Sequence, residues 1–297
     1  MILLVLAASN IIGSIPLFIS IRIRAAVDPS VIAKLTEHPN DLTVLGISSN
    51  AGLLMMLFPF IVALIAFILL VEPLNGRSLK KIINGTNSFR WNRFFISALI
   101  WGVISAIYLF VCLKADPSNY SLNNKSAMLI PLILISVLVF PFQAAFEEIL
   151  FRGYLMQGFT VLLNNRLFPL IMTSILFGLF HGLNPEVKAF GFWTMLPQYV
   201  LFGLIFGIMT IMDDGIETAI GAHAANNAFL CVMLTNDSSA LQTKALFVQH
   251  NIYPWLELST MLFMGVLVIA VMNMIFKWNN FSEIFGRVNR NKIIQVP

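Results

Sequence analysis

Charged residues are scarce in this sequence. They make up 11% of its 297 residues, whereas 58% are hydrophobic and the mean hydropathy is +0.85. A soluble globular domain usually has about 25% charged residues, so the composition excludes that class and indicates an integral membrane protein. The net charge of +4 predicts no nucleic-acid partner here, because lysines and arginines in the loops of membrane proteins set their topology.

Cysteines are equally few, and two common hydrolase signatures are missing. Cys112 and Cys231 lie within apolar blocks, where they predict neither a disulfide framework nor a metal-binding spacing. The sequence contains no HExxH segment and no GxSxG segment. We therefore expect neither a zinc-protease helix of the HExxH type nor a serine nucleophile on a strand-to-helix turn.

Long apolar blocks make up most of what is present. A helix of about 20 apolar residues crosses roughly 30 Å of hydrocarbon, whereas membrane β-strands would alternate over about 10 residues. We predict an all-α fold, a polytopic membrane helical bundle of about eight transmembrane helices that forms a single integral membrane domain over residues 1–297. The blocks cover roughly residues 1–21, 45–71, 94–113, 127–155, 167–182, 193–212, 216–234 and 256–277.

Besides Glu257 and Lys277 near the ends of the last block, six ionisable residues lie inside these blocks. Such residues are costly in lipid and usually face a cavity or a partner, so each is a candidate for function. Glu148 and Arg152 are four residues apart, so they share a helix face and predict a supporting ion pair. Glu147 is rotated by about 100° from that face, so its partner must come from elsewhere. Alternatively, all three extend to the headgroups at a helix end. The six are Glu147, Glu148, Arg152, His181, Glu217 and His223.

A polar break at Asn164, Asn165 and Arg166 predicts the turn of a helical hairpin. Glu147 lies 17 residues before Asn164 and His181 lies 17 residues after it. Both would lie about 25 Å from the turn at 1.5 Å per residue. The equal spacing predicts that the two side chains meet at one depth.

The segment GAHAANNAF adds a second histidine. His223 and Asn227 are four residues apart and share a helix face, and the small residues around them allow close helix approach. The alternative is a tight packing face in which both bond across helices. Nearby, Asp213, Asp214 and Glu217 lie at a block boundary, and we interpret them as an interfacial cap suited to a helix N-terminus.

One glutamate, two histidines and one asparagine on three helices suit hydrolysis. A poorly hydrated glutamate can take a proton from water. The histidines can then bind a metal with the glutamate, and zinc accepts such ligands. Alternatively, histidine and asparagine can form an oxyanion hole without a metal. The residue types leave both possibilities open.

Three ordered motifs resemble those of the CAAX-protease and bacteriocin-processing family of intramembrane endopeptidases. This family includes the Ras-converting CAAX prenyl endopeptidase. The resemblance covers roughly residues 127–234, which we expect to be the catalytic core helices. The motifs are EExxxR (Glu147, Glu148, Arg152), FxxxH (Phe177, His181) and HxxxN (His223, Asn227).

The resemblance implies an eight-helix membrane fold with its catalytic cavity inside the bilayer. It implies that Glu147 is the water-activating base and that Glu148 and Arg152 form a supporting pair. It also implies that Phe177 is a further supporting residue. The remaining motif residues would bind a metal or the oxyanion. Family members are often called metalloproteases, which would place a zinc ion on Glu147, His181 and His223, and a metal-independent glutamate mechanism is also argued. The assigned catalytic residues are Glu147, His181, His223 and Asn227.

We therefore predict an intramembrane endopeptidase that hydrolyses peptide bonds of a membrane-embedded or lipidated substrate. The substrate would be of the CAAX type or of the leader or bacteriocin type. The expected location is the cell membrane of a microbe, with the lipid bilayer as the other partner. Two alternatives are a non-catalytic bacteriocin-immunity or scaffold protein of the same fold, and a proton-coupled carrier that uses the buried glutamate and histidines as a relay.

Overall fold

Helices form nearly all of the regular structure. The computed structural model describes residues 1–37, 40–86, 88–123, 128–278 and 281–288. In these ranges the predicted all-α fold is confirmed, with three short strands beside the helices. The helices are α1 (Ile2–Ile11), α2 (Ile15–Val27), α3 (Val31–Glu37), α4 (Ser49–Asn75), α5 (Leu79–Ile83), α6 (Trp91–Ala115), α7 (Leu129–Glu148), α8 (Gln157–Leu163), α9 (Leu167–Phe180), α10 (Pro185–Phe190), α11 (Phe192–Asp213), α12 (Glu217–Met233) and α13 (Pro254–Phe276). A π-helix, Ile149–Met156, joins α7 to α8.

Six helical stretches of the described chain are long and apolar enough to cross a membrane. Two of the eight predicted spans are shorter, since α9 has 14 residues and α12 has 17. They reach about 21 Å and about 26 Å, less than the roughly 30 Å of hydrocarbon. The protein is thus an integral multi-pass membrane protein, but the count of eight is not confirmed. The six stretches are Ile2–Val27, Ser49–Asn75, Trp91–Ala115, Leu129–Leu163, Phe192–Asp213 and Pro254–Phe276.

Residues 1–77, 109–146 and 224–251 form one compact unit. Ser48 caps α4, because its side chain accepts a hydrogen bond from the backbone N–H of Ala51 at 3.2 Å, and Gly76 ends the helix with φ 64°. The core of the unit consists of Leu53, Leu57, Leu132, Phe140 and Cys231. Cys231 is thus a buried packing residue without a disulfide partner among the described residues.

A small sheet belongs to the same unit. Its strand order is β1-β3-β2, antiparallel between β1 and β3 and parallel between β2 and β3. Strand β2 begins directly after the last residue of α12, so the sheet lies at the carboxyl end of that helix. The strands are β1 (Tyr120–Leu122), β2 (Leu234–Thr235) and β3 (Phe247–Gln249).

Residues 78–86, 88–108, 147–223, 252–278 and 281–288 belong to a second compact unit. Asn164 ends α8 in the left-handed conformation, with φ 54°, which asparagine tolerates. Phe151 and Phe177, each 13 residues from Asn164, have ring centroids 5.3 Å apart. The predicted helical hairpin is therefore confirmed. The single domain over residues 1–297 stays a prediction.

Helices α9 and α11 approach each other at Gly203. A Cβ atom at Gly203 would lie 2.6 Å from Cα of Ser174, whereas a Cβ atom at Gly102 would meet nothing within 4 Å. Without a hydrophobic driving force between helices in lipid, such close packing is a main source of association.

We expect Gly203→Ala to destabilise the protein by about 1–3 kcal/mol, because the added methyl group overpacks the α9–α11 contact. Gly102→Ala is the matched control and should be neutral or stabilising, since alanine is the better helix former. Thermal unfolding of the purified proteins in detergent measures both changes. Equal unfolding temperatures for the two variants would contradict the close contact at Gly203.

Candidate active site

A histidine lies between two neighbouring carboxylates. His223 Nδ1 is 2.7 Å from Glu148 Oε1, and His223 Nε2 is 3.7 Å from Glu147 Oε2. All three side chains are buried. Glu147 and Glu148 come from the last turn of α7, and His223 comes from α12. The structure thus brings two of the predicted catalytic residues together with the predicted supporting glutamate.

Glu148 fixes the orientation of the His223 ring. Its Oε1 atom also accepts a hydrogen bond from Arg152 Nη1 at 2.9 Å, so this oxygen acts as an acceptor for both partners. Because Glu148 Oε1 accepts the hydrogen bond from His223, the proton of the imidazole must be on Nδ1. Nε2 is then the nitrogen that faces Glu147, and it is the atom available for chemistry.

Arg152 is enclosed within the protein. Its relative exposure is 1%, and its partner Glu148 is at 0%. Nη2 donates to the carbonyl oxygen of Gly203 at 3.2 Å. The guanidinium carbon also lies 4.6 Å from the ring centroid of Phe177 and 5.6 Å from that of Phe206, within cation–π range. The predicted Glu148–Arg152 ion pair is present, and it is buried instead of lying in the headgroups.

A π-helix begins directly after Glu148. It spans the eight residues Ile149–Met156 and includes Arg152. π-helices are rare, occur mostly as short insertions and are frequent at functional sites. No residue pattern in the sequence indicated this one.

Two phenylalanines contact the His223 ring. Phe206 stacks on it with centroids 5.0 Å apart and an interplanar angle of 16°. Phe177 meets it edge-on at 6.1 Å. Phe177 was assigned from the FxxxH motif, whereas Phe206 was missed, because a phenylalanine within an apolar block carries no separate signal.

His181 caps the carboxyl end of α9 and is partly buried. Its Nδ1 atom donates to the carbonyl oxygen of Phe177 at 2.8 Å, since a carbonyl only accepts. Its ring stacks on Tyr199 at 4.7 Å, a contact the sequence did not reveal. Phe177 connects the two histidines, because its ring centroid also lies 4.5 Å from that of His181.

Asn227 belongs to the first unit. Its Nδ2 atom donates to Gln143 Oε1 at 2.9 Å, and its Oδ1 atom accepts from Asn226 at 3.0 Å. Gln143 lies four residues before Glu147, and Asn227 lies four residues after His223. A search for all polar residues in apolar helices, not only ionisable ones, would have found Gln143.

The donor atoms do not form a three-ligand metal site within the described chain. The Nδ1 atoms of His223 and His181 are bonded to Glu148 and to the Phe177 carbonyl oxygen, so only their Nε2 atoms could bind a metal. Zinc needs nitrogen and oxygen donors about 2.0–2.2 Å from one point. Glu147, His181 and His223 are not gathered in that way among the described residues, and the zinc site stays a prediction from residue types.

Comparison with known proteins shows which family part of the chain resembles. Residues 127–229 match the family model described as Type II CAAX prenyl endopeptidase Rce1-like. The match confirms the resemblance of this region to the CAAX-protease and bacteriocin-processing family, a family of proteases.

One relative matches a larger part of the chain. It is "Uncharacterized protein YyaK" of Bacillus subtilis (strain 168), 27% identical over 237 residues, which cover 80% of this chain and 77% of the relative. No solved structure matches the chain significantly.

We expect Glu148→Ala to destabilise the protein by about 3–5 kcal/mol, because it leaves Arg152 as an uncompensated buried charge. Glu283→Ala is the matched control. Its partner Arg166 and Glu283 itself are 31% and 43% exposed, and exposed pairs contribute about 0–1 kcal/mol. Thermal unfolding in detergent measures both, and similar losses in the two variants would contradict a buried Glu148–Arg152 pair.

Proposed function

We propose that this protein is an intramembrane endopeptidase that hydrolyses peptide bonds with a water molecule activated by Glu147. The observation that carries the proposal is the position of His223 between Glu147 and Glu148, buried in a membrane protein with the core region of a protease family. Buried ionisable groups in membrane helices are costly and are usually kept for function.

The two carboxylates have different surroundings, which supports different roles. Glu148 Oε1 already accepts from Arg152 and His223, so it holds His223 in place. Glu147 Oε2 lies 3.7 Å from His223 Nε2, which is longer than a direct hydrogen bond. A water molecule that lies beside Glu147 Oε2 and His223 Nε2 can bond to both atoms.

The reaction then follows from these positions. Glu147 takes a proton from the water, and the water oxygen attacks the carbonyl carbon of the scissile peptide bond. His223 Nε2 faces the reacting groups, and the motifs assign Asn227 and His181 as donors to the oxyanion. When the tetrahedral intermediate collapses, the carbon–nitrogen bond breaks and Glu147 returns its proton to the leaving amine.

The substrate we propose is a membrane-embedded or lipidated peptide, of the CAAX type or of the leader type. The spanning helices support this class, because a peptide held in or at the bilayer is the one that can reach a site among them. The proposed location is the cell membrane of a microbe.

Glu147→Gln should lower the cleavage rate at least about 10²-fold, because the amide cannot accept the proton of the water. A farnesylated, internally quenched CAAX peptide and a leader peptide are the probes, with the proteins in liposomes. Glu72→Gln, the same change at an exposed glutamate of α4, is the control and should cleave normally.

The outcomes separate the alternatives. Full activity in Glu147→Gln would contradict the proposal. An immunity phenotype that survives alanine at Glu147, His181, His223 and Asn227 would support the non-catalytic reading. Substrate-dependent proton flux in the liposomes would support a carrier.

Removal of metal ions should leave the cleavage rate unchanged, because the proposed proton transfers use Glu147 and the oxyanion is bound by histidine and asparagine side chains. The measurement is peptide cleavage after dialysis against EDTA and 1,10-phenanthroline, compared with the same protein after added zinc. Loss of activity that zinc restores would instead support the metal-binding role of Glu147, His181 and His223.

A further inference from the structure

The start of α12 is held by buried charges that the proposed mechanism does not use. Glu217 is the first residue of α12, and its side chain is fully buried. Glu217 Oε1 accepts from the backbone N–H of Arg90 at 3.1 Å and from Arg90 Nε at 3.0 Å, and Oε2 accepts from Arg90 Nη2 at 2.6 Å. Asn84 also donates to Oε1. We call Asn84, Arg90, Asp213 and Glu217 the α12 clamp.

Arg90 also binds the end of α11. Its Nη1 atom donates to the carbonyl oxygen of Asp213 at 2.9 Å, and Nη2 lies 3.0 Å from Asp213 Oδ2. Trp278 and Arg93 contact Asp213 Oδ1 at 2.9 Å and 3.3 Å. The arginine therefore joins the end of α11 to the start of α12. These acidic residues are more than the interfacial cap expected from the sequence, because Arg90 engages both carboxylates.

Ile82 and Ile83, just before Asn84 of the clamp, contact the π-helix, the start of α8 and the residue before α12. Ile82 is fully buried, and its carbonyl oxygen accepts from Gln157 Nε2 at 2.9 Å. A Cβ atom on Gly153 of the π-helix would lie 2.7 Å from Ile82 Cγ2. The next carbonyl, that of Ile83, accepts from the backbone N–H of Ile216 at 3.0 Å. Helix α5 thus packs between the π-helix and the start of α12.

We propose that Glu217 is a positioning residue for His223. Helix α5 and the α12 clamp together set the distance between α12 and the helix that carries Glu147 and Glu148. His223 lies six residues after Glu217, about 9 Å along a stiff helix, so a displacement at the clamp moves the imidazole away from Glu148. Replacing Glu217 leaves Asp213 as the remaining carboxylate partner of Arg90. Water that enters to take the place of Glu217 then loosens this end of the helix.

A chemical probe of the histidines tests the positional effect without any substrate. Diethyl pyrocarbonate modifies accessible imidazoles. His223 is buried, whereas His181 is only partly buried. The ratio of their modification, measured by mass spectrometry, therefore reports His223 burial against an internal reference. We expect Glu217→Gln to raise this ratio about tenfold through local opening. Arg90→Lys, which keeps the charge, should raise it less. Glu283→Gln, which alters the Arg166 pair of the same unit, should not change it.

A cleavage assay tests the catalytic consequence, which alone depends on the proposed function. With the farnesylated CAAX peptide, Glu217→Gln should lower kcat about tenfold, because small misplacements of catalytic groups are costly, while KM stays near the wild-type value. Arg90→Lys, which keeps the charge, should lower kcat less than Glu217→Gln does. A purely stabilising ion pair would change the unfolding temperature and leave both kcat and the pH dependence of cleavage unaltered at temperatures where the protein is folded.

The outcomes of the two arms are distinct. Wild-type protection of His223 in Glu217→Gln overturns the proposal, whatever the cleavage assay gives. If Glu217→Gln does not fold, Arg90→Lys decides, and an unchanged modification ratio in it overturns the proposal. If Glu147→Gln still cleaves the peptide, the proposed function fails while the histidine-modification result for Glu217 stands.

Discussion

The burial of the Glu148–Arg152 ion pair is the constraint on which the site depends. A charge removed from water must be paired and hydrogen-bonded, or it is strongly destabilising. Arg152 meets this demand with Glu148, with the Gly203 carbonyl oxygen and with the faces of aromatic rings. His223 is the second donor to Glu148. The pair that neutralises the arginine therefore also orients the imidazole toward Glu147.

This arrangement makes two adjacent glutamates unequal. Glu148 has its Oε1 atom bonded to two donors, while Glu147 faces His223 Nε2 across 3.7 Å. A carboxylate oxygen that is bonded to an arginine and a histidine is held in place, which suits Glu148 to a supporting role. A carboxylate that lies 3.7 Å from a histidine nitrogen can share with it a water molecule that lies beside the pair, as proton transfer from that water requires.

Local rules predicted what depends on local geometry. The four-residue spacing predicted the Glu148–Arg152 pair, because helix periodicity is nearly constant, and the polar break at Asn164 predicted the hairpin. The stacking of Phe206 on His223 and the clamp at Glu217 join different helices, and no residue pattern indicated the π-helix. Helices α9 and α12 were expected to span the membrane because apolar composition shows where a helix lies but not where it ends.

Helix packing in lipid explains why polar anchors occur at two levels of α12. Lipid tails are as apolar as leucine, so helices gain little from hiding apolar surface, and close packing and polar contacts must hold them. Alanines and glycine around His223 allow the close packing. Glu217 and His223 supply the polar contacts, one at the helix start with Arg90 and one about 9 Å further on with Glu148. Two fixed points on one short helix define its position along its axis, and a catalytic group must be held with that accuracy to act without reorganisation.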